Sequence, residues 1–191
     1  MLTPKNRCWD DKNNPIDSTK GLIDLCKEYI NKEMAGVEIG SFAGSSSEVF
    51  ANFCKSLTCI DPWDLTYQNN NHKMERLNRF KLAEKKFDLM VEKYNNIKKI
   101  KSFSMKEYKN FKDKSLDFVY IDGNHKYSYI MDDIFFWKPK IKIGGYLLGH
   151  DYNLVFKALN DSKIKINKVF EDSSWVSVII NNFSFRKIKL I

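Results

Sequence analysis

Arginine is scarce in this sequence. Only four of its 32 basic residues are arginine, Arg7, Arg76, Arg79 and Arg186; the rest are lysine. Arginine is the usual bidentate reader of guanine and phosphate, so a lysine-built basic surface argues against base-reading contact with nucleic acid. Cysteine is scarce as well. Cys8, Cys26, Cys54 and Cys59 form no CxxC pair and have no zinc-ligand spacing. Scattered thiols with no signal peptide point to a reducing, cytoplasmic setting. No apolar run reaches the roughly 18 residues of a membrane span, so no membrane partner is expected. Internal repeats and low-complexity linkers are lacking too.

What is present fits one domain over 1–191, with an N-terminal segment and helix in 1–35. Hydrophobic residues make up 43% and charged residues 29%, a globular rather than disordered composition. The net charge of +8 is uneven. Residues 1–64 hold 7 basic and 10 acidic side chains, 65–114 hold 14 and 6, and 115–191 hold 11 and 8. The middle segment alone equals the whole excess. It leaves two readings open, a solvated lysine face and an RNA-binding or RNA-methylating surface.

The order of elements is alternating. Helices are predicted over 19–33, 46–54, 73–93, 105–111, 127–137 and 154–160. Strands are predicted over 37–39, 57–60, 97–100, 116–121, 146–148, 166–170 and 175–180. The apolar stripe of the third helix is Leu77, Phe80, Phe87, Met90 and Val91. Pro139 stops the fifth helix, and Gly144-Gly145 is read as a turn into the fifth strand. This alternation predicts an α/β fold with a mostly parallel sheet, where ligands bind beyond the carboxyl ends of the strands.

Four strand ends carry chemistry. The first reads Glu38-Ile39-Gly40-Ser41-Phe42-Ala43-Gly44-Ser45-Ser46. Its glycines permit close backbone approach to a ligand, and the helix start beyond offers N–H groups to an anion. Glu38, buried in the strand, requires a partner, for which a cationic ligand amine is one candidate. The second strand ends at Asp61, placed to hold ribose hydroxyls or to cap a turn. The fourth ends in Asp122-Gly123-Asn124-His125 and the fifth in His150-Asp151-Tyr152. Asp and His types brought together above one sheet are plausible ligands for a divalent metal.

With these residues in view, the sequence resembles the class I S-adenosylmethionine-dependent methyltransferases. Within them it is most similar to the metal-dependent O-methyltransferases, the group holding catechol, caffeoyl-CoA and sugar enzymes. The similarity runs from about Gly36 to Trp175. It is carried by Glu38-x-Gly40-x-x-x-Gly44-x-Ser46, by Leu116–His125 with Tyr127, by Trp137-x-Pro139-Lys140 and by Gly144–Tyr152.

The resemblance implies a Rossmann-like, seven-stranded sheet, mostly parallel with an antiparallel last strand, and helices on both faces. It implies S-adenosylmethionine as cofactor. Gly40, Ser41 and Gly44 would contact its methionine part, Ser46 its carboxylate, and Glu38 its amine or the loop. Asp61 would hold the ribose, and Ser104 and Met105 would contact adenine, with Asp122 also facing the cofactor. Asp122, His150 and Asp151 would hold magnesium or manganese, and His125 would be the general base. The family commonly has an acid where His150 stands, which shifts the expectation toward a softer ion or a supporting role.

The implied reaction is methyl transfer to a hydroxyl of a small acceptor, a sugar or nucleotide-linked sugar, with a catechol-type acceptor as alternative. The segment 65–80 is a candidate lid, and Lys73, Arg76 and Arg79 would favour an anionic acceptor there. Whether the chain forms a homo-oligomer is left open.

Overall fold

The computed structural model describes residues 18–64 and 73–180, with the side chains of 73–76 excepted. Cys8, the loop 65–72 and the side chains of Lys73 and Arg76 therefore lie outside the described residues. Seven strands form one sheet: β1 Ala35–Ile39, β2 Ser56–Asp61, β3 Ile97–Lys101, β4 Leu116–Ile121, β5 Ile141–Gly149, β6 Lys168–Val169 and β7 Trp175–Val178. Their order is β3-β2-β1-β4-β5-β7-β6. β1 to β5 pair in parallel, β7 runs antiparallel to β5, and β6 runs antiparallel to β7. Among the described residues six α-helices accompany them: α1 Lys20–Tyr29, α2 Ser45–Phe53, α3 Lys73–Val91, α4 Ser104–Glu107, α5 Tyr127–Trp137 and α6 Tyr152–Asp161.

β4 shows why the sheet is covered on both sides. Side chains alternate across a strand. Phe118 and Tyr120 enter one core with Leu22, Leu25, Phe50 and Phe87, while Val119 and Ile121 enter the other with Ile130, Ile134, Trp137 and Leu159. A continuous apolar run is what a central strand between two helical layers requires.

Several elements differ from the sequence expectation: the helix expected over 105–111 is Ser104–Glu107, and the strand expected over 166–170 is only Lys168–Val169. α1 stops at Tyr29 rather than 33, because the Asn31 side chain accepts the Glu33 N–H (3.0 Å), a local turn that competes with the helix. β5 begins at Ile141, so Gly144-Gly145 lies within the strand. The register jumps there, from Leu116↔Ile141 to Phe118↔Tyr146, and Gly144 takes φ +84° in the resulting bulge. In α3 the fully buried positions are Ala83 and Phe87 with Met90 nearly so, whereas Leu77, Phe80 and Val91 are only half-buried.

α1 is held from the far end of the chain. Its N-cap residue, Thr19, makes no side-chain cap. Instead Asp172, in the β6–β7 turn, accepts the Leu22 N–H (2.9 Å) on Oδ2 and the Ser174 N–H (3.0 Å) on Oδ1. A Cβ at Gly21 would overlap that carboxylate, so glycine is required.

Part of the basic segment neutralises itself. Lys99 reaches Glu84 (2.9 Å) and Asp88 (2.6 Å), and Lys101 reaches Glu84 (2.5 Å). Among the described residues, no helix is long and apolar enough to cross a membrane.

Candidate active site

The carboxyl ends of β1 to β5 surround one cavity of about 800 Å³. It lies where the strand order reverses, between β1 and β4, the usual ligand crevice of an open α/β sheet. Gly40, Ser41, Ser46, Asp61, Ser104, Met105, Asp122, His125, His150 and Asp151 all line it. Glu38 and Gly44 do not.

Glu38 is fully buried, and its partners are hydroxyls. Ser41 donates to it at 2.8 Å, and Ser46 and Ser47 donate short hydrogen bonds from the first turn of α2. Burial pushes its carboxyl up, against these three donors. The partner expected from a ligand amine is thus supplied internally, and Glu38 shapes the loop. Ser46 spends its hydroxyl on Glu38 rather than on a ligand carboxylate. Ser45 and Ser46, the first turn of α2, line the cavity, and a helix start attracts anions.

The two glycines serve packing first. Gly40 sits at φ +88°, and a Cβ there would overlap the backbone of Asp122 and Gly123. Gly44, also at φ +88°, faces Met90 of α3. These contacts press the β1 loop against the β4 loop and against α3.

Asp61 is nearly buried. It accepts the Phe42 N–H (2.9 Å) on Oδ2 and the Trp63 N–H (2.7 Å) on Oδ1. Burial raises its pKa, while these N–H groups oppose the rise. The carboxylate is fixed by backbone, and each oxygen keeps a lone pair for a ligand hydroxyl.

At the β4–β5 end, His125 Nε2 lies 3.5 Å from Asp122 Oδ1 and 3.2 Å from Asp151 Oδ2, yet neither contact has hydrogen-bond geometry. His150 Nδ1 lies 3.8 Å and 3.4 Å from the same two oxygens, and its Nε2 is buried without a hydrogen bond. One ligand atom each from Asp122, His125 and Asp151 falls within 4.8 Å of the others. Burial works against the charged form of His125, but the carboxylates of Asp122 and Asp151 outweigh it and raise its pKa. Asp151 itself takes a left-handed conformation, φ 52°, at the start of α6. Two carboxylates and two imidazoles that converge as close ion-pair partners form a donor set that fits a divalent cation.

Sequence reasoning missed Asp133. It lies four residues after Tyr129 and seven after Lys126, and all three line the cavity from one face of α5. That spacing was the available signal. Asp133 is nearly buried, accepts the Ser104 hydroxyl (2.6 Å), and burial pushes its carboxyl up to about 7. Arg79 and Phe80 of α3 also line the cavity, with Arg79 over the Phe42 ring at 5.6 Å.

A seven-stranded sheet of this order, with a glycine turn after β1 and an acid at the end of β2, defines the Rossmann-like class of S-adenosylmethionine-dependent methyltransferases. The chain belongs to the methyltransferase domain family, whose sequence pattern matches residues 37–152. Its fold is similar to that of an rRNA methylase from Streptococcus thermophilus (13% identity, 87% of this chain and 98% of the other, TM-score 0.58). It is also similar to the N-methyltransferase NodS from Bradyrhizobium japonicum in complex with S-adenosyl-L-homocysteine (15% identity, 89% of each chain, TM-score 0.53). An uncharacterized protein, R132, of Acanthamoeba polyphaga mimivirus is 26% identical over 137 residues, 69% of this chain. The chain spans 57% of that relative's length.

Proposed function

We propose that this methyltransferase transfers the methyl group to a hydroxyl oxygen of a small acceptor, with a divalent cation beside the reacting oxygen. The observation that carries this is the convergence of Asp122, His125, His150 and Asp151 on one wall of the cavity that the glycine loop also lines.

The sulfonium methyl is already electrophilic, so the protein's task is alignment and proton removal. The first turn of α2 faces the anionic end of the cofactor, and Asp61 takes its ribose hydroxyls. Asp122, Asp151 and His150 would hold the cation, magnesium or manganese. Such an ion supplies Lewis acidity to the acceptor hydroxyl. The His150 imidazole favours manganese over magnesium, which prefers oxygen.

The two histidines divide the work by exposure. The His150 side chain is 10% exposed and its carbonyl is held by the Trp175 indole (3.0 Å), so it suits a fixed ligand. The His125 side chain is 31% exposed and borders the cavity, so it suits the group that meets the acceptor and takes its proton.

A sugar or nucleotide-linked sugar is the acceptor this site supports best. Arg79 and Lys126 line the cavity and suit an anionic substituent. The test is a methyl-transfer screen over sugars, nucleotide sugars and catechols, before and after exhaustive chelation. Transfer to a sugar hydroxyl that chelation abolishes and manganese restores is expected. Full activity after chelation overturns the cation's role, and transfer confined to catechols overturns the sugar.

A further inference from the structure

The cavity has two chemically different ends. The Asp and His cluster stands beyond β4 and β5, at the end assigned above to the acceptor. Phe103, Ser104 and Met105 stand beyond β3, at the other end, next to Asp61 beyond β2. A nucleoside whose ribose meets Asp61, and whose sulfonium points to the cluster, must lay its base against Phe103–Met105.

Asp133 reaches that base end from α5. Its Oδ1 is occupied by the Ser104 hydroxyl at 2.6 Å, which fixes the plane of the carboxyl group. No described residue donates a hydrogen bond to its Oδ2, and Asp133 lines the cavity. Among the described residues no cation pairs with it, and the like charge of Asp132 adds to the effect of burial. A nearly buried acid with one tied oxygen and one open oxygen costs the fold stability and gains nothing from it. A hydrogen-bond donor brought by the ligand would repay that cost.

We propose that Asp133 is the base-reading residue of the cofactor cavity, its Oδ2 accepting a hydrogen bond from the exocyclic amine of adenine while Ser104 holds its Oδ1. This rests on the cavity being the S-adenosylmethionine site. The raised carboxyl pKa fits, because the group is short of donors until the amine arrives. The assignment gives the site discrimination between purines: a base that lacks the amine leaves the carboxylate buried and unpaired.

Calorimetric titration at pH 8, where the carboxyl is ionised, tests this with three probes. These are S-adenosylhomocysteine, S-inosylhomocysteine, which has an oxo group for the amine, and the N6,N6-dimethyl analogue, which has no N–H there. The wild-type protein is expected to bind the first at least about tenfold more tightly than either of the others. Asp133→Asn, whose amide can both accept and donate, is expected to bring the adenosyl and inosyl compounds within about threefold of each other. Equal binding of all three probes by the wild-type protein overturns the assignment while leaving the cofactor site intact. So does an undiminished preference in Asp133→Asn. Failure of the wild-type protein to bind S-adenosylhomocysteine overturns the cofactor site, and the assignment with it. Should Asp133→Asn not fold, the wild-type comparison with the dimethyl analogue decides alone.

Discussion

Gly40 and Asp122 are in such close backbone contact that residue 40 has no room for a side chain. The contact joins the loop after β1 to the loop that carries an expected cation ligand. Gly40→Ala combines a positive φ with an overlap against backbone, so a loss of about 2–4 kcal/mol is expected. Urea denaturation measures it. Because Asp122 must shift, manganese affinity in calorimetry should fall in the same variant.

Glu38 is the hub of the β1–α2 turn. Glu38→Ala strands three serine hydroxyls beside a void and should cost about 3–5 kcal/mol. Glu38→Gln keeps the volume and an acceptor oxygen, so its cost should be clearly smaller. Denaturation midpoints compare them, and equal losses would contradict the hub.

The carboxyl of Asp133 links stability to pH. Burial raises it from 3.8 to about 7, so the folded chain holds a proton that the unfolded chain has lost. Stability therefore falls as pH rises from about 4 through 7, then levels. Between pH 5 and pH 8 the ligand-free wild-type protein should lose about 3 kcal/mol relative to Asp133→Asn. Paired urea titrations at the two pH values give the difference directly.

The two histidines should separate in experiment. His150→Ala is expected to weaken manganese binding at least about tenfold. His125→Ala should keep that binding within about threefold and lower kcat about 10²–10³-fold at saturating cofactor. Calorimetry and methyl-transfer assays on the same preparations read both. Near-normal turnover in His125→Ala would remove it from the base role.

Arg79 offers a test of the acceptor. Arg79→Glu should raise KM for a nucleotide-linked sugar about tenfold or more and leave a neutral sugar little changed. Equal effects on both would argue that Arg79 serves the fold of α3.

The strands and α5 were legible because local signals coincided. In β4 an apolar run meant burial on both faces. In α5 Pro139 gave the stop, and the helix runs from Tyr127 to Trp137 as expected. What stayed hidden depends on pairing across the fold. Gly144-Gly145 has turn chemistry, and only the partner strand reveals that the chain bulges and continues. Glu38 was recognised as needing a partner, but the sequence cannot tell a ligand amine from serines eight and nine residues away. Asp133 stayed hidden because it lies on a helix, two turns into α5 and well beyond the end of β4.

Asp172 and α1 have a consequence for synthesis. The N–H of Leu22 waits for a carboxylate 150 positions later in the chain. During translation α1 therefore emerges with its start unfinished and before later members of its core, Phe118, Tyr120, Leu148 and Val176, have been made. Its last stabilising contact forms only once the β6–β7 turn has left the ribosome. The earliest helix among the described residues is thus secured late, by a turn made near their other end.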